Sequence, residues 1–276
     1  VPQIKNLSQA NDSLEIIAVA NQKGGVGKTT TAINLATALA AAGKKVLILD
    51  LDPQGNASTG FGIDRASRRR SAYELLMGEA SFEDTLVKTV IPGLSVIPSS
   101  IDLTGAELEL VDVPRRCFRL KDALTAGLER SATPMDYILI DCPPSLNLLT
   151  LNALSAATSV LVPLQCEFFA LEGLSLLLGT IERVQQNFNP ALQIGGVVLT
   201  MFDKRNNLSD QVAADVRGFM GDKVYQTVIP RNVRVSEAPS HGKPVLLYDL
   251  KCPGSQAYIK LASEMLRRGG HHLHAA

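Results

Sequence analysis

The sequence predicts a single doubly wound α/β domain, a mostly parallel sheet with helices on both faces. Three observations carry that reading. Short apolar runs recur at residues 14–20, 46–49, 94–97, 137–140, 160–162, 194–201 and 224–229, with helix-like stretches between them; strands alternating with helices pair in parallel through right-handed crossovers. Several runs carry β-branched residues without polar alternation, the pattern of strands buried on both faces. No internal repeat or low-complexity linker divides the chain. In open sheets of this kind ligands bind beyond the carboxyl ends of the strands, so the residues that end each run are the candidates for chemistry.

At 276 residues the chain is long enough to bury a sizeable core. Hydrophobic residues make up 46 % of it, yet no apolar run approaches the roughly 18 residues of a membrane span, which predicts a soluble protein. Residues 1–13 are polar, without the charged-then-apolar layout of a targeting signal, and read as a flexible leader to a domain over 14–268. Residues 269–276, with His271, His272 and His274, read as a flexible tail rather than a metal site. Cys117, Cys142, Cys166 and Cys252 form no C-x-x-C pair; this argues against zinc, an iron–sulfur cluster or a disulfide framework and fits a reducing cytoplasm. Formal net charge is zero but unevenly spread: eleven Lys/Arg face seven Asp/Glu from residue 200 onward, and sixteen face twenty before it. Excess positive charge therefore falls on the C-terminal part.

The first apolar run leads into Ala20-Asn21-Gln22-Lys23-Gly24-Gly25-Val26-Gly27-Lys28-Thr29-Thr30-Thr31, followed by an Ala/Leu-rich helical stretch. Strand, glycine loop and helix start are the three parts of a phosphate cradle. Gly24, Gly25 and Gly27 let the backbone approach an anion closely, Lys28 reaches the β- and γ-phosphates, and the Thr29 hydroxyl takes a position on Mg²⁺. Gln22 stands where the common phosphate-loop pattern has a glycine, and a second lysine, Lys23, follows it. The form Lys-Gly-Gly-x-Gly-Lys-Thr resembles the deviant Walker A box of the ParA/MinD family of dimeric P-loop ATPases. The resemblance implies that Lys23, Gly24, Gly25, Val26, Gly27, Lys28, Thr29 and Thr30 bind ATP with Mg²⁺, and that Lys23 reaches the phosphates held by a second subunit.

Gly43 is placed to end the first helix. The next run closes on Asp50-Leu51-Asp52-Pro53-Gln54-Gly55-Asn56, delivering to the mouth of the site two carboxylates that share one face of the strand. In the family the aspartate before Pro-Gln orients or activates the attacking water. That role falls on Asp52, with a place on Mg²⁺ as a further option, and Asp50 is left to support Mg²⁺ or Lys28. Periodicity predicts helices over 101–110 and 115–128. Arg68-Arg69-Arg70 is a compact basic run, read as a solvated face or as a contact for an acidic partner. The run from Tyr137 ends in Asp141-Cys142-Pro143-Pro144, which resembles the family's Walker B strand: Asp141 holds Mg²⁺ through a water, and the Pro-Pro segment senses the γ-phosphate. Cys142 reads as a small buried residue.

Residues 161–174 resemble the chromosome-partitioning branch of the family; Phe168 and Phe169 within them serve either core packing or the dimer face. The stretches 199–207 and 228–244 also resemble ParA. There a Pro-Arg-Asn loop closes over adenine, which implies contacts from Pro230 and Asn232. Arginines matching Arg205 and Arg234 belong to a positive surface that binds duplex DNA without reading sequence, and Lys251 and Lys260 extend it. His241 reads as a loop residue. In the last helix, over 255–268, Ala257, Tyr258, Leu261, Ala262, Met265 and Leu266 form a core-facing stripe, unlike the bilayer-entering helix of MinD-like relatives.

Over 14–268 the resemblance implies a ParA/Soj-type chromosome or plasmid partition ATPase, cytoplasmic and nucleoid-associated, that hydrolyses ATP to ADP and phosphate. Its ATP-bound homodimer would bind non-specific duplex DNA, and a ParB-like centromere-binding partner would stimulate the hydrolysis that releases it. Stable membrane association is not expected. The alternatives are a MinD-like membrane-associated ATPase and a nucleotide-gated scaffold or regulator with incidental hydrolysis.

Overall fold

The computed structural model describes residues 14–131 and 133–272; the predicted leader and the last four residues of the predicted tail lie outside them. The chain runs β1 (Glu15–Val19), α1 (Lys28–Ala41), β2 (Val46–Asp50), α2 (Asn56–Gly60), α3 (Ala72–Met77), α4 (Phe82–Thr85), β3 (Val87–Lys88), β4 (Leu94–Ile97), α5 (Leu103–Glu109), α6 (Arg119–Arg130), β5 (Tyr137–Asp141), α7 (Leu148–Ala156), β6 (Ser159–Gln165), α8 (Ala170–Asn187), β7 (Gln193–Thr200), α9 (Asn207–Met220), α10 (Val233–Glu237), α11 (Val245–Tyr248) and α12 (Pro253–His272).

The seven strands form one sheet in the order β3-β4-β2-β5-β1-β6-β7. Every pairing is parallel except β3 with β4. From β1 the chain moves to β2 on one side, and it later returns to β6 on the other. The reversal of strand order therefore falls beside β1, where the crevice of an open α/β sheet lies. Register places Val19 and Asp50 each opposite Asp141, so three strands deliver their ends to one point.

Side chains alternate along each strand, and both faces are apolar. Leu47, Leu49, Ile138, Ile140, Val160 and Val162 join the core under α3 and α5 to α9. Val46, Ile48, Ile17, Val19, Leu139 and Leu161 join the opposite core, under α1, α11 and α12. Each fully buried Leu or Ile contributes roughly 1.5–3 kcal/mol, which is why these runs carry no polar alternation. Helix α1 ends as predicted, with Gly43 in the left-handed conformation at φ +83° just past its last turn. In α12, Ala257, Tyr258, Leu261, Ala262 and Met265 are buried and Leu266 packs beside them, and the Tyr258 hydroxyl stands 3.4 Å from that of Thr31 on α1. Among the described residues no helix is long and apolar enough to cross a membrane.

The structure corrects several expectations. Residues 224–229 do not form a strand: they meet β7 through an isolated bridge at Val224 and through the Ile229 amide, which donates to the Leu199 carbonyl at 2.8 Å, with a second isolated bridge just beyond, at Pro230. The buried Glu264 carboxylate takes the amides of Gln226 at 2.8 Å and Thr227 at 2.9 Å, so the middle of that segment bows away from the sheet. The helix expected from 115 begins at Arg119, because Arg115 adopts φ +58° and breaks the turn before it. Strand β3, two residues long, is too short for periodicity to mark. Helix α12 spans Pro253–His272, longer at both ends than the helix expected over 255–268. Phe168 and Phe169 are not core: they are 76 % and 61 % exposed and meet edge to face at 5.1 Å. The basic run is not one solvated face either, since Arg68 turns inward onto Ile63, Thr59 and Ser99, while Arg70 pairs with Asp84.

Candidate functional site

The loop between β1 and α1 is scaffolded from the ends of neighbouring strands. Asn21 donates to the Pro163 carbonyl of β6 at 2.8 Å and accepts the Lys23 amide at 3.0 Å. The Thr200 hydroxyl at the end of β7 donates to the Val26 carbonyl at 2.8 Å, and Val26 itself is buried. Gly25 and Gly27 take φ +75° and +86°, which a side chain would strain. A Cβ at Gly24 or Gly25 would meet nothing within 4 Å, so the space before the loop is open. Lys28 is buried and lies back across the loop, its ammonium donating to the Lys23 carbonyl at 2.9 Å. Burial pushes its pKa down, against the pull of Asp141, Cys142 and Asp52.

Asp141, at the end of β5, is fully buried, and neither carboxylate oxygen has a hydrogen-bond partner among the described residues. Burial, and then the charge of Asp50, raise its pKa well above the usual range; the nearby Thr29 hydroxyl favours the charged form without reaching full hydrogen-bond geometry. A buried carboxylate without a donor is costly. With the Thr29 hydroxyl beside it and an open cradle in front, this donor set fits a hydrated Mg²⁺ bound with phosphate.

The two aspartates after β2 separate. Asp50 is fully buried, and one of its oxygens takes both the amide and the hydroxyl of Ser58, at 2.8 and 2.7 Å. Burial lifts its pKa to about 6 against those hydrogen bonds. It therefore anchors the start of α2 and makes no hydrogen bond to Lys28, one of the two supports, Mg²⁺ or Lys28, expected of it from sequence. Asp52, 9 % exposed, stays at the crevice, with its main chain fixed by the Gly55 amide at 2.8 Å and the Ser99 hydroxyl at 2.5 Å, both on its carbonyl. Cys142 is buried, and its thiol pKa is raised by burial.

Lys23 stands on the outer rim, its ammonium 2.5 Å from Glu167 Oε1, an ion pair whose angles fall short of a hydrogen bond. Farther out, Arg205, Lys260 and Pro230 line one surface pocket of about 860 Å³ together with Lys204 and Arg231. Arg205 is paired bidentately with Asp203 at 3.0 and 2.9 Å, which holds the Asp203 carboxyl down to about 2. Arg234 and Lys251 are not lining residues of that pocket. They flank Asp249, whose carboxylate is 3.6 Å from the Arg234 guanidinium and accepts the Lys251 amide at 3.1 Å. The Asn232 side chain caps α10, accepting the Val235 amide at 3.4 Å.

Sequence comparison decides the family. The model described as an AAA domain matches residues 14–194. The chromosome partitioning protein ParA of Caulobacter vibrioides is 66 % identical over 255 residues, covering 92 % of this chain and 95 % of the relative. The chain belongs to the ParA/Soj family of partition ATPases. The sporulation initiation inhibitor protein Soj of Bacillus subtilis is 53 % identical over 255 residues, 92 % of this chain and 99 % of that one. In three dimensions the chain resembles cobyrinic acid a,c-diamide synthase of Mycobacterium smegmatis with bound ADP and magnesium, at 39 % identity and a TM-score of 0.79 over 92 % of this chain and 94 % of that one.

Within this ParA/Soj fold, sequence reasoning missed Glu167, Ser58 and Ser99. Glu167 had a signal, since it follows the carboxyl end of β6 on the side of the sheet already marked by the loop. The two serines had none: short polar residues become site residues only when packing brings three separate segments together.

Proposed function

We propose that two copies of this chain close over two ATP–Mg²⁺, that the closed pair binds duplex DNA without reading its sequence, and that hydrolysis parts it. The observation that carries the reading is the donor-free carboxylate of Asp141 beneath an open glycine cradle; those two features call for a cation and a phosphate together. Thr29, and Asp141 through a water, would hold Mg²⁺, which when bound neutralises charge on the phosphates. The amides from Gly24 to Thr30 and the Lys28 ammonium take the phosphate oxygens. Asp52 orients the water whose oxygen bonds the γ-phosphorus as the bond to the bridging oxygen breaks, giving ADP and phosphate. Lys23 leaves Glu167 for the phosphates of the other subunit, while Phe168 and Phe169 are covered. Pro230 and Asn232 border the base.

Arg205, Arg234, Lys251 and Lys260 then form, twice over, one positive face. Doubling the phosphate contacts steepens salt dependence and turns weak binding into tight binding. A ParB-like partner speeds the slow hydrolytic step, and the cycle runs on the nucleoid in the cytoplasm. The names of the curated relatives support partition as the setting.

The test is duplex-DNA binding against salt with ADP, with ATP and with a slowly hydrolysed ATP analogue, for wild type and Arg205→Glu. The expected result is sequence-independent binding that needs the triphosphate, weakens steeply with salt and is lost in the variant. Binding indifferent to nucleotide and to Arg205 would sink the DNA switch.

A further inference from the structure

Arg68 belongs to a basic run that neither the nucleotide site nor the positive surface uses. Its guanidinium points inward. Nε and Nη2 donate to the Ile63 carbonyl at 3.1 and 2.8 Å, Nη2 also to the Thr59 hydroxyl at 2.9 Å, and Nη1 to the Ser99 carbonyl at 3.3 Å. One planar fork thus joins the far end of α2 to the segment after β4. It also lies over Gly55, where a Cβ would come within 2.2 Å of Nη1.

Two of the residues it touches, Ser99 by a hydrogen bond and Gly55 by proximity, act on Asp52. The Gly55 amide and the Ser99 hydroxyl are the two donors on the Asp52 carbonyl, and Gly55, at φ +65°, caps α2. Ser99 is tied in turn to Ser58, whose hydroxyl accepts the Ser99 amide at 3.0 Å and donates to Asp50. The run from Asp52 to Ile63 is therefore held at its start by Asp50 and Ser99, and at its far end by Arg68. The neighbours share none of this: Arg69 is exposed, and Arg70 makes a surface pair with Asp84.

We infer that Arg68 is a positioning residue for hydrolysis, pinning the turn from Gly55 to Ile63 against Ser99 and so fixing where Asp52 holds the attacking water. This rests on the role proposed above for Asp52. A displacement of about 1 Å at such a group costs on the order of 100-fold in rate, so a brace outside the cradle alters turnover without altering nucleotide affinity.

The experiment is steady-state ATP hydrolysis by the full chain with Mg²⁺ and duplex DNA, for wild type, Arg68→Ala, Arg68→Lys, Arg69→Ala and Asp52→Ala. Arg68→Ala is expected to lose about 10- to 100-fold in kcat with KM within about twofold, and millimolar guanidinium, but not equimolar sodium, restores part of it. Arg69→Ala matches wild type. Arg68→Lys keeps stem and charge but not the fork, so it stays slow; it is the variant to read should the alanine chain not fold. A wild-type kcat in Arg68→Lys and Arg68→Ala overturns the inference. So does a joint loss of kcat, KM and thermal stability that guanidinium leaves unrescued. Wild-type turnover by Asp52→Ala would instead remove the reading on which the inference rests.

Discussion

The carboxyl ends of β1, β2 and β5 and the positive surface after residue 200 handle charge in opposite ways. Around the strand ends Lys28, Asp50, Asp52 and Asp141 are all buried, and Asp141 has no hydrogen-bond donor among the described residues. On the surface, Arg205 and Arg234 stand exposed beside carboxylates two and three residues away, Asp203 and Glu237. An exposed pair is worth about 0–1 kcal/mol, whereas a buried charge left unpaired costs several times that. The first region therefore acts through single residues, and the second through their sum.

Lys28→Ala is the severest test of that contrast. It removes the ammonium that spans the loop and faces Asp141, and ATP affinity measured by calorimetry should fall at least about 100-fold; a loss under threefold would break the comparison. Asp50→Asn comes next. The folded state holds the Asp50 proton more tightly than an unfolded chain, at about 6 against an ordinary 3.8. Its contribution to stability is therefore full below about pH 4 and lost as pH rises through about 6. At pH 8 the asparagine should melt about 2–6 °C higher than wild type, with the gain fading toward pH 4; a pH-independent difference would show that burial of this charge costs nothing. The smallest effect is expected on the surface. Asp203→Asn unpairs Arg205, so ATP-dependent DNA affinity at low salt should rise roughly two- to fivefold while the melting temperature stays within about 1 °C. A large stability loss there would mean the two regions do not differ in kind.

The same contrast explains what the sequence disclosed. The strand runs at 46–49 and 137–140 were legible because both faces are buried, and the loop from Lys23 to Thr30 because one continuous segment holds every donor. Asp141 was marked by ending an apolar strand. Asp50 was legible only in part, since its spacing from Asp52 gave a shared face but could not reveal Ser58 arriving from α2. The segment 224–229 has the composition of a strand, and the distant Glu264 draws two of its amides away, those of Gln226 and Thr227, while Tyr225 and Ile229 still donate to β7. Arg68 looked like its neighbours, because nothing local distinguishes an arginine that turns inward from one that does not. The basic residues around the pocket that holds Arg205 come from segments far apart in the chain, Lys204 and Lys260 being the extremes, and charge counting shows only that such an excess exists.

Glu167 gives the proposed dimer the character of a trade. A lone chain already supplies its outer loop lysine with a counter-ion, so ATP entering one subunit finds Lys23 engaged elsewhere. Releasing that half-exposed pair costs about 0–1 kcal/mol, and two-fold symmetry makes the release occur twice, each lysine exchanging its own carboxylate for the other chain's phosphate. In a solitary molecule the outer cation thus rests on its own carboxylate. On the proposed dimer, what would switch the protein on is then the density of its neighbours as much as the supply of nucleotide, a property suited to a molecule that must act where it is crowded and fall silent where it is sparse.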